Sequence, residues 1–99
     1  MFASVQKYLA APAQIERVLK SRNEIENTIS QVDGFLSIYL LKTLDSLTVL
    51  TLNKTKESAD EASGTILALI KDRVPELVKN PQLSIGEVVF QLSALEAHI

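Results

Sequence analysis

The chain has 99 residues, of which 46% are hydrophobic and 22% are charged, and its formal net charge is −2 at pH 7. From this length we expect one domain, residues 1–99, and no second one within it. The balanced charge offers no basic surface for nucleic acid or an anionic membrane, and the absence of cysteine excludes disulfides and thiolate metal sites. No apolar run has transmembrane length and the N-terminus lacks a signal-peptide pattern, so we expect a cytoplasmic protein with no membrane partner.

The N-terminal third predicts a strand followed by a helix. Residues 2–10 alternate in the manner of a strand. Pro12 suits the first helical position, because its missing N–H would be unpaired there in any case. Gly34 can take the left-handed conformation that closes a helix. The helix between them is predicted from apolar residues at helical spacing, which are Ile15, Val18, Leu19, Ile25, Ile29 and Val32.

The stretch GFLSIYLLKTLDSLTVLTLN, residues 34–53, predicts two strands joined by a tight turn at Asp45 and Ser46. In the first of these strands, apolar side chains occur on both sides. One side carries Leu36, Ile38 and Leu40, and the other carries Phe35, Tyr39 and Leu41. A sheet that is apolar on both faces must be covered on both faces.

The C-terminal half predicts a second helix and a fourth strand. Ser58 and Glu61 have the spacing of a capping box at the helix start, and Pro75 should end the helix near Arg73 or Val74, with one further turn after it. Residues 84–92 predict the last strand, and residues 93–99 a C-terminal tail. The only histidine, His98, is predicted to be a solvated tail residue.

This βαββαβ order predicts an α+β, ferredoxin-like domain with a four-stranded antiparallel sheet and both helices on one face. Phasing each strand by its more apolar side assigns to the helix-covered face Val5, Leu9, Leu36, Ile38, Leu40, Leu50, Leu52, Val88 and Phe90. The bare face then carries Phe2, Ser4, Gln6, Tyr8, Phe35, Ser37, Tyr39, Leu41, Val49, Thr51, Ile85, Glu87, Val89 and Gln91. Two copies packed through their bare faces would bury them, so we expect a homodimer enclosing a small cavity.

The candidate ligand-binding residues are the polar and aromatic side chains assigned to the bare face. Tyr39 and Tyr8 could hydrogen-bond a ligand oxygen or stack on an aromatic ring, although interface packing explains them as well. Glu87 could act as a desolvated proton acceptor, or pair with a cation of the partner. The neutral donors and acceptors are Gln6, Ser37 and Thr51, and interstrand hydrogen bonding is the alternative for them.

The sequence lacks the motifs of several enzyme classes. It has no paired-histidine metal spacing, phosphate-binding loop or serine elbow. These absences argue against a metalloenzyme, a nucleotide hydrolase and a serine hydrolase. We assign no metal ligand, cofactor or catalytic residue, and the expected partners are a second copy of the chain and a small organic or aromatic molecule.

The segments QVDGFLSIYLLKT, VPELV and SIGEVVFQL, in this order of elements, resemble the antibiotic biosynthesis monooxygenase-like family of dimeric α+β barrels. The resemblance implies a barrel built by two sheets. Its enzymatic members oxidise polycyclic or quinol-like aromatic substrates, or degrade haem, with Trp, Asn, Tyr, His or Arg side chains in the cavity under the helices. This chain has no tryptophan, and Leu69 stands where related second helices often carry the aromatic residue.

Three functions follow from the residues and the resemblance together. The first is a homodimer that binds a small molecule without the usual catalytic aromatic residue. The second is a cofactor-independent monooxygenase acting on a quinol-like or polycyclic aromatic substrate. The third is a non-catalytic dimerisation module whose cavity is filled by side chains.

Overall fold

The computed structural model describes residues 1–94, so most of the predicted tail, including His98, lies outside the described residues. The elements are β1 (Phe2–Leu9), α1 (Pro12–Leu19), α2 (Arg22–Ile29), β2 (Phe35–Lys42), β3 (Ser46–Asn53), α3 (Lys56–Arg73), a 3-10 helix (Pro75–Lys79) and β4 (Gln82–Glu87). The strands form one antiparallel sheet in the order β2-β3-β1-β4. This topology confirms the predicted ferredoxin-like fold.

The core lies between one face of the sheet and the helices. Apolar side chains from α1, α2 and α3 pack there against Tyr8 of β1 and against Leu47 and Val49 of β3. Gln6 of β1 donates from Nε2 to the carbonyl oxygen of Ser63 in α3 over 2.7 Å, which fixes the face of β1 that the helices cover. We call this the helix-covered face and the opposite one the open face. No helix among residues 1–94 is long and apolar enough to cross a membrane.

The predicted first helix is two helices, α1 and α2, separated at Lys20 and Ser21. Ser21 has φ −97° and ψ 12°, outside the helical region, and its N–H donates to the carbonyl of Val18 rather than one residue further back. The apolar stripe nevertheless continues through both helices, and this is why periodicity predicted a single one. Gly34 has φ 88°, as predicted for the residue that closes the segment.

Three other predicted boundaries differ from the structure. The N-cap of α3 is Thr55, whose hydroxyl accepts from the Ser58 N–H over 3.0 Å, so the capping box predicted at Ser58 is wrong. Ser46 begins β3, which moves the turn to residues 43–45. β4 ends at Glu87 instead of residue 92. The neighbouring strand β1 begins at Phe2, and the Val88 N–H still donates to the Met1 carbonyl. Residues after Val88 have no further part of β1 to pair with, so β4 ends.

The strand faces predicted from apolarity are correct for β2 from Ser37 onward and wrong for its first two residues and for β1, β3 and β4. Phe35, predicted on the bare face, packs against the core, and Leu36, predicted toward the helices, is exposed, because the register shifts between Phe35 and Ser37. In β2, Ile38 and Leu40 pack against the core, while Tyr39 faces the open side. Register places on the helix-covered face Ser4, Gln6, Tyr8, Val49, Thr51, Ile85 and Glu87, and on the open face Val5, Leu9, Leu50 and Leu52. Val88 and Phe90 follow the end of β4 and lie on neither face of the sheet.

The physical reason is that polar residues occupy the covered positions of β1 and β3. They hydrogen-bond with one another and with α3, which removes most of the cost of burying them. The apolar side chains of the same strands therefore point to the open face. A prediction that turns the more apolar side of each strand toward the helices assigns the faces of these strands the wrong way round.

Ion pairs hold α1 and α2 against the end of α3. Arg17 of α1 pairs with Glu76 and also donates to the carbonyl oxygen of Arg73. Arg73 in turn pairs with Glu24 of α2. These contacts lie on the rim of the helical layer, since the side chains that make them remain partly exposed.

Candidate functional site

A buried polar cluster lies between the sheet and α3. It consists of Ser4, Gln6, Tyr8, Thr51, Asn53 and Ser63. The five strand residues of this cluster are all at most 1% exposed. Alternation along β1 and β3 brings them to one face, because residues two apart in a strand point to the same side.

Tyr8, Gln6 and Ser63 form one half of the polar cluster. The Tyr8 hydroxyl donates to Gln6 Oε1 over 2.5 Å. Gln6 Nε2 donates to the carbonyl oxygen of Ser63 over 2.7 Å and to its hydroxyl over 2.9 Å. The amide of Gln6 thus links the phenol to α3, and both side chains are held in single positions.

Burial raises the pKa of the Tyr8 phenol above its ordinary value. A phenol in this environment stays neutral at physiological pH and keeps its hydroxyl proton. Tyr8 is therefore a hydrogen-bond donor rather than a base or a nucleophile.

Ser4, Thr51 and Asn53 form the other half of the polar cluster. The hydroxyls of Ser4 and Thr51 are 2.5 Å apart, and Asn53 Nδ2 donates to Thr51 Oγ1 over 3.0 Å. Asn53 Oδ1 is buried without a hydrogen-bond partner. An unpaired amide oxygen in this position is costly, and it is an acceptor available to any donor that reaches it.

An open groove lies between the first two helices and the edge strand β2, and we call it the α2–β2 groove. Its volume is 470 Å³. Two of its lining residues, Arg22 and Glu26, supply one charge of each sign, and the other four are apolar: Leu19, Ile25, Ile38 and Leu40. Concave apolar surfaces with a few polar groups are typical of sites for small organic molecules.

The register of the sheet connects the floor of the groove to the polar cluster. Ile38 pairs with Thr51 across β2 and β3, and Thr51 in turn pairs with Ser4 across β3 and β1. Paired residues in adjacent strands lie side by side on one face of the sheet. The apolar floor at Ile38 is thus one strand away from the hydroxyl of Thr51.

The predicted ligand-binding residues fall on two faces of the sheet. Gln6, Tyr8 and Thr51 come together in the polar cluster, under the helices instead of on the open face. Ser37 and Tyr39 lie on the open face as predicted, with Tyr39 51% exposed. Glu87 pairs with Phe2 at the end of β4, on the helix-covered face instead of the predicted one, and it is exposed, so this chain's own fold does not desolvate its carboxylate.

Sequence reasoning missed Asn53, Ser63 and the groove. Asn53 lies two residues after Thr51 and therefore on the same face of β3. Polar residues at alternate positions of both β1 and β3 were a signal that these side chains could hydrogen-bond with one another. Ser63 falls on a helix turn that no periodic pattern marks as functional. The groove depends on how far α2 stands from β2, which is a property of packing and has no local signal in the sequence.

Within residues 1–94, no group of three His, Asp or Glu side chains is placed to hold a metal ion.

Comparison with known proteins gives a uniform result for the fold. No protein-family model matches the chain, and no curated protein matches it significantly. Solved structures do match over nearly its whole length. An MhuD variant with two manganese protoporphyrin IX molecules bound per active site is 17% identical, and the match covers 95% of this chain and 100% of that one with a TM-score of 0.72.

Two Streptomyces enzymes match in the same way. A monooxygenase of Streptomyces coelicolor in complex with nanaomycin D is 19% identical over 93% of this chain and 90% of that one, with a TM-score of 0.67. A mutant of SnoaB, a cofactor-independent oxygenase from Streptomyces nogalater, is 12% identical over 92% of this chain and 95% of that one, with a TM-score of 0.68. At such identities the shared property is the fold. The chain therefore has the fold of the antibiotic biosynthesis monooxygenase-like proteins, which confirms the resemblance predicted from its sequence.

Proposed function

We propose that this protein is a homodimer that binds a small organic or aromatic molecule in the α2–β2 groove of each chain. The observation that carries the proposal is the groove itself, an open space of 470 Å³ lined by four apolar side chains and two side chains of opposite charge. A flat aromatic molecule would lie against Ile38 and Leu40, with polar substituents toward Arg22 and Glu26. The matching structures with nanaomycin D and with manganese protoporphyrin IX support a ligand of this kind by analogy of fold.

The dimer is proposed from the open face of the sheet. Leu9, Tyr39 and Leu41 are 77%, 51% and 59% exposed there, and Val5, Leu50 and Leu52 are only partly covered. Contiguous apolar surface of this kind is typical of a protein interface. A second copy would cover it with an identical surface through a two-fold axis.

Titration with α-naphthol tests binding in the groove. We expect the amide chemical shifts of α2 and of the β2 residues at the groove floor to move, while those of residues outside the groove stay constant. Leu40→Trp should fill the groove and weaken binding by about tenfold or more, which corresponds to about 1.4 kcal/mol of lost contact.

The matched control is Leu44→Trp, which introduces the same side chain at a position that is 90% exposed, in the β2–β3 connection. This control should bind α-naphthol as the unmodified chain does. Absence of shifts at saturating probe, or shifts confined to residues outside the groove, would overturn the proposed site.

A second candidate is a cofactor-independent monooxygenase acting on a quinol-like or polycyclic aromatic substrate. It is favoured by the neutral, buried phenol of Tyr8, which could donate a hydrogen bond to a substrate anion if Gln6 released it. Oxidation of an anthrone illustrates the chemistry: the methylene becomes a carbonyl, one atom of O2 enters the product and the other leaves as water. Oxygen consumption with a panel of anthrones and quinols tests it, and no turnover across the panel would exclude this class of substrate.

The third candidate, a dimerisation module that binds nothing, is favoured by the close packing of the polar cluster between β1, β3 and α3. It predicts that α-naphthol changes no amide chemical shift in the titration described above. The cytoplasmic location expected from the sequence stays a prediction.

A further inference from the structure

We propose that each copy of the protein binds a small aliphatic carboxylate beside Lys7 on the open face, and that this anion stabilises the homodimer. The proposal rests on the homodimer described above and adds a ligand to its interface, at a site separate from the α2–β2 groove. Two observations carry it, a concavity that the groove and the polar cluster do not use and the position of one charge.

The concavity lies on the open face, near the end of β1. Its volume is 190 Å³, and its lining residues are Lys7, Leu9, Asn80 and Gln82. Lys7 pairs with Gln82 across β1 and β4, and Leu9 is two residues further along β1, so these side chains point to the same side of the sheet. That side is the open face, because Tyr8 between Lys7 and Leu9 packs in the core. We call this concavity the Lys7 pocket.

Lys7 is the only charged residue that the four strands turn to the open face, in the part of the chain that the structure describes. Its neighbours on that face are Thr48 and Gln82 across the strands and Leu9 along β1. None of the ion pairs found among residues 1–94 includes Lys7, and the residue is exposed. In a single chain, water therefore solvates this ammonium group.

Dimerisation changes the surroundings of Lys7. A second copy packed on the open face removes water from it, and a buried ammonium group without a counter-charge is strongly unfavourable. An isologous interface presents the same surface from both copies. The strands of the second copy therefore bring another Lys7 and no carboxylate, so we assign the missing negative charge to a bound anion.

The lining of the Lys7 pocket indicates which anion fits. One ammonium group per pocket matches a monoanion. The side-chain amides of Asn80 and Gln82 can donate to carboxylate oxygens, and Leu9, which is 77% exposed, offers apolar surface to a hydrocarbon tail. A volume of 190 Å³ equals that of about six molecules of liquid water, which suits an acid with about six non-hydrogen atoms.

Sedimentation at a series of protein concentrations tests the proposal, with sodium butyrate as the probe. We expect butyrate to lower the dimer dissociation constant by about tenfold or more, because a ligand that binds the dimer more tightly than the monomer stabilises it by mass action. Butyramide, which has a similar shape without the charge, and sodium chloride at the same ionic strength are the controls and should have no such effect. An equal dissociation constant in all three solutions would overturn the anion site and leave the homodimer intact, whereas a monomer in every solution at micromolar concentration would overturn both.

Lys7→Met keeps the length of the side chain and removes its charge. Without butyrate, this variant should dimerise at least as tightly as the unmodified chain, and butyrate should no longer change its dissociation constant. The matched control is Lys71→Met, at an exposed position of α3, whose dimer should respond to butyrate as the unmodified chain does. A Lys7→Met chain that dimerises more weakly, or that still responds to butyrate, would contradict the assignment of the anion to Lys7.

A carboxylate on a loop of the second copy is the alternative source of the counter-charge. Asp45 is the candidate beside the end of β1, since its carbonyl oxygen accepts from the Ala10 N–H over 3.0 Å. Asp45→Asn should leave the dimer and its response to butyrate unchanged, and loss of the dimer in this variant would assign the counter-charge to the partner and overturn the free anion. In the unmodified chain, butyrate should also shift the side-chain amide resonances of Asn80 and Gln82, and constant resonances would likewise overturn the site.

Discussion

At the scale of single residues, the unusual feature is a polar interior at the centre of a small apolar chain. Ser4, Thr51 and Asn53 occupy covered positions where valine or leucine would ordinarily be found. Their hydrogen bonds make the burial tolerable, and the unpaired Oδ1 of Asn53 is the exception. Such a network defines one arrangement of β1 and β3 against α3, since a shift of register would leave several polar groups unpaired.

The Ser4–Thr51 contact gives a prediction for stability. Thr51→Val keeps the shape of the side chain but removes the partner of the Ser4 hydroxyl and leaves the Asn53 amide with only the Phe2 carbonyl, so we expect a loss of about 1–3 kcal/mol in the free energy of unfolding. Ser4→Ala should cost less, because the Thr51 hydroxyl still accepts a hydrogen bond from Asn53 Nδ2. In urea unfolding, the double variant should lose about 1 kcal/mol less than the sum of the two single variants. Simple additivity would show that the two hydroxyls do not interact.

The buried phenol gives a prediction for alkaline pH. In a Tyr39→Phe variant Tyr8 is the only tyrosine, and its phenolate absorbance should be absent at pH about 10, where a free tyrosine is half ionised. Because the folded pKa lies above the unfolded value, Tyr8 contributes stability below pH about 10 that is lost as the pH rises beyond it. Phenolate should therefore appear together with loss of circular dichroism. Ionisation near the ordinary pKa in a fully folded protein would contradict the buried position of the phenol.

At the scale of secondary structure elements, periodicity predicted which segments form and packing decided how they face. The alternation in residues 2–10 was sufficient for β1, but Val5 and Leu9 are the more apolar side and still point away from the helices. The side toward which a strand turns its residues depends on what covers each face, and apolarity cannot decide it in a sheet that is apolar on both faces. The break between α1 and α2 at Ser21 could not be predicted for a related reason. Val18 and Ile25 lie on one apolar stripe whether the segment forms one helix or two.

The attachment of α1 to the end of α3 gives a pH-dependent prediction. A hydrogen bond from its own backbone N–H lowers the pKa of Glu76, and the Arg17 guanidinium adds to this effect. A carboxyl with a lowered folded pKa stabilises the protein while it is ionised, and this contribution is lost as the pH falls from the unfolded pKa toward the folded one. Glu76→Gln should therefore lower the midpoint of thermal unfolding slightly at neutral pH and have no effect in acid. An equal effect at both pH values would assign the change to packing instead of charge.

At the scale of the whole molecule, the sequence was informative about the fold and about the apolar face that the helices leave exposed. The apolar residues on both sides of the segment from Phe35 to Leu41 predicted that one face would remain uncovered, and the exposed Leu9, Tyr39 and Leu41 are that surface. The α2–β2 groove could not be predicted, because Leu19, Ile25 and Ile38 also satisfy the pattern of an ordinary core. Only the spacing between α2 and the edge strand distinguishes a groove from a closed contact.

The open face gives a prediction for assembly. Tyr39→Glu places a charge on this face, which a partner sheet could not solvate, so we expect the dimer to dissociate at micromolar concentration while the fold is retained. Glu26→Gln, on the helical side, is the control with a neutralised charge and should stay dimeric. Light scattering measures both, and a Tyr39→Glu variant that remains fully dimeric would place the interface elsewhere.

Sedimentation in the presence of α-naphthol tests the small-molecule-binding homodimer most directly. The chain contains no tryptophan, so absorbance at wavelengths longer than those of tyrosine reports the probe alone, while interference optics report the protein. We expect the probe to sediment with a species of twice the 10.9 kDa mass of one chain, at one probe per chain. A species of 10.9 kDa, or a probe that remains unsedimented at saturating protein, would contradict it.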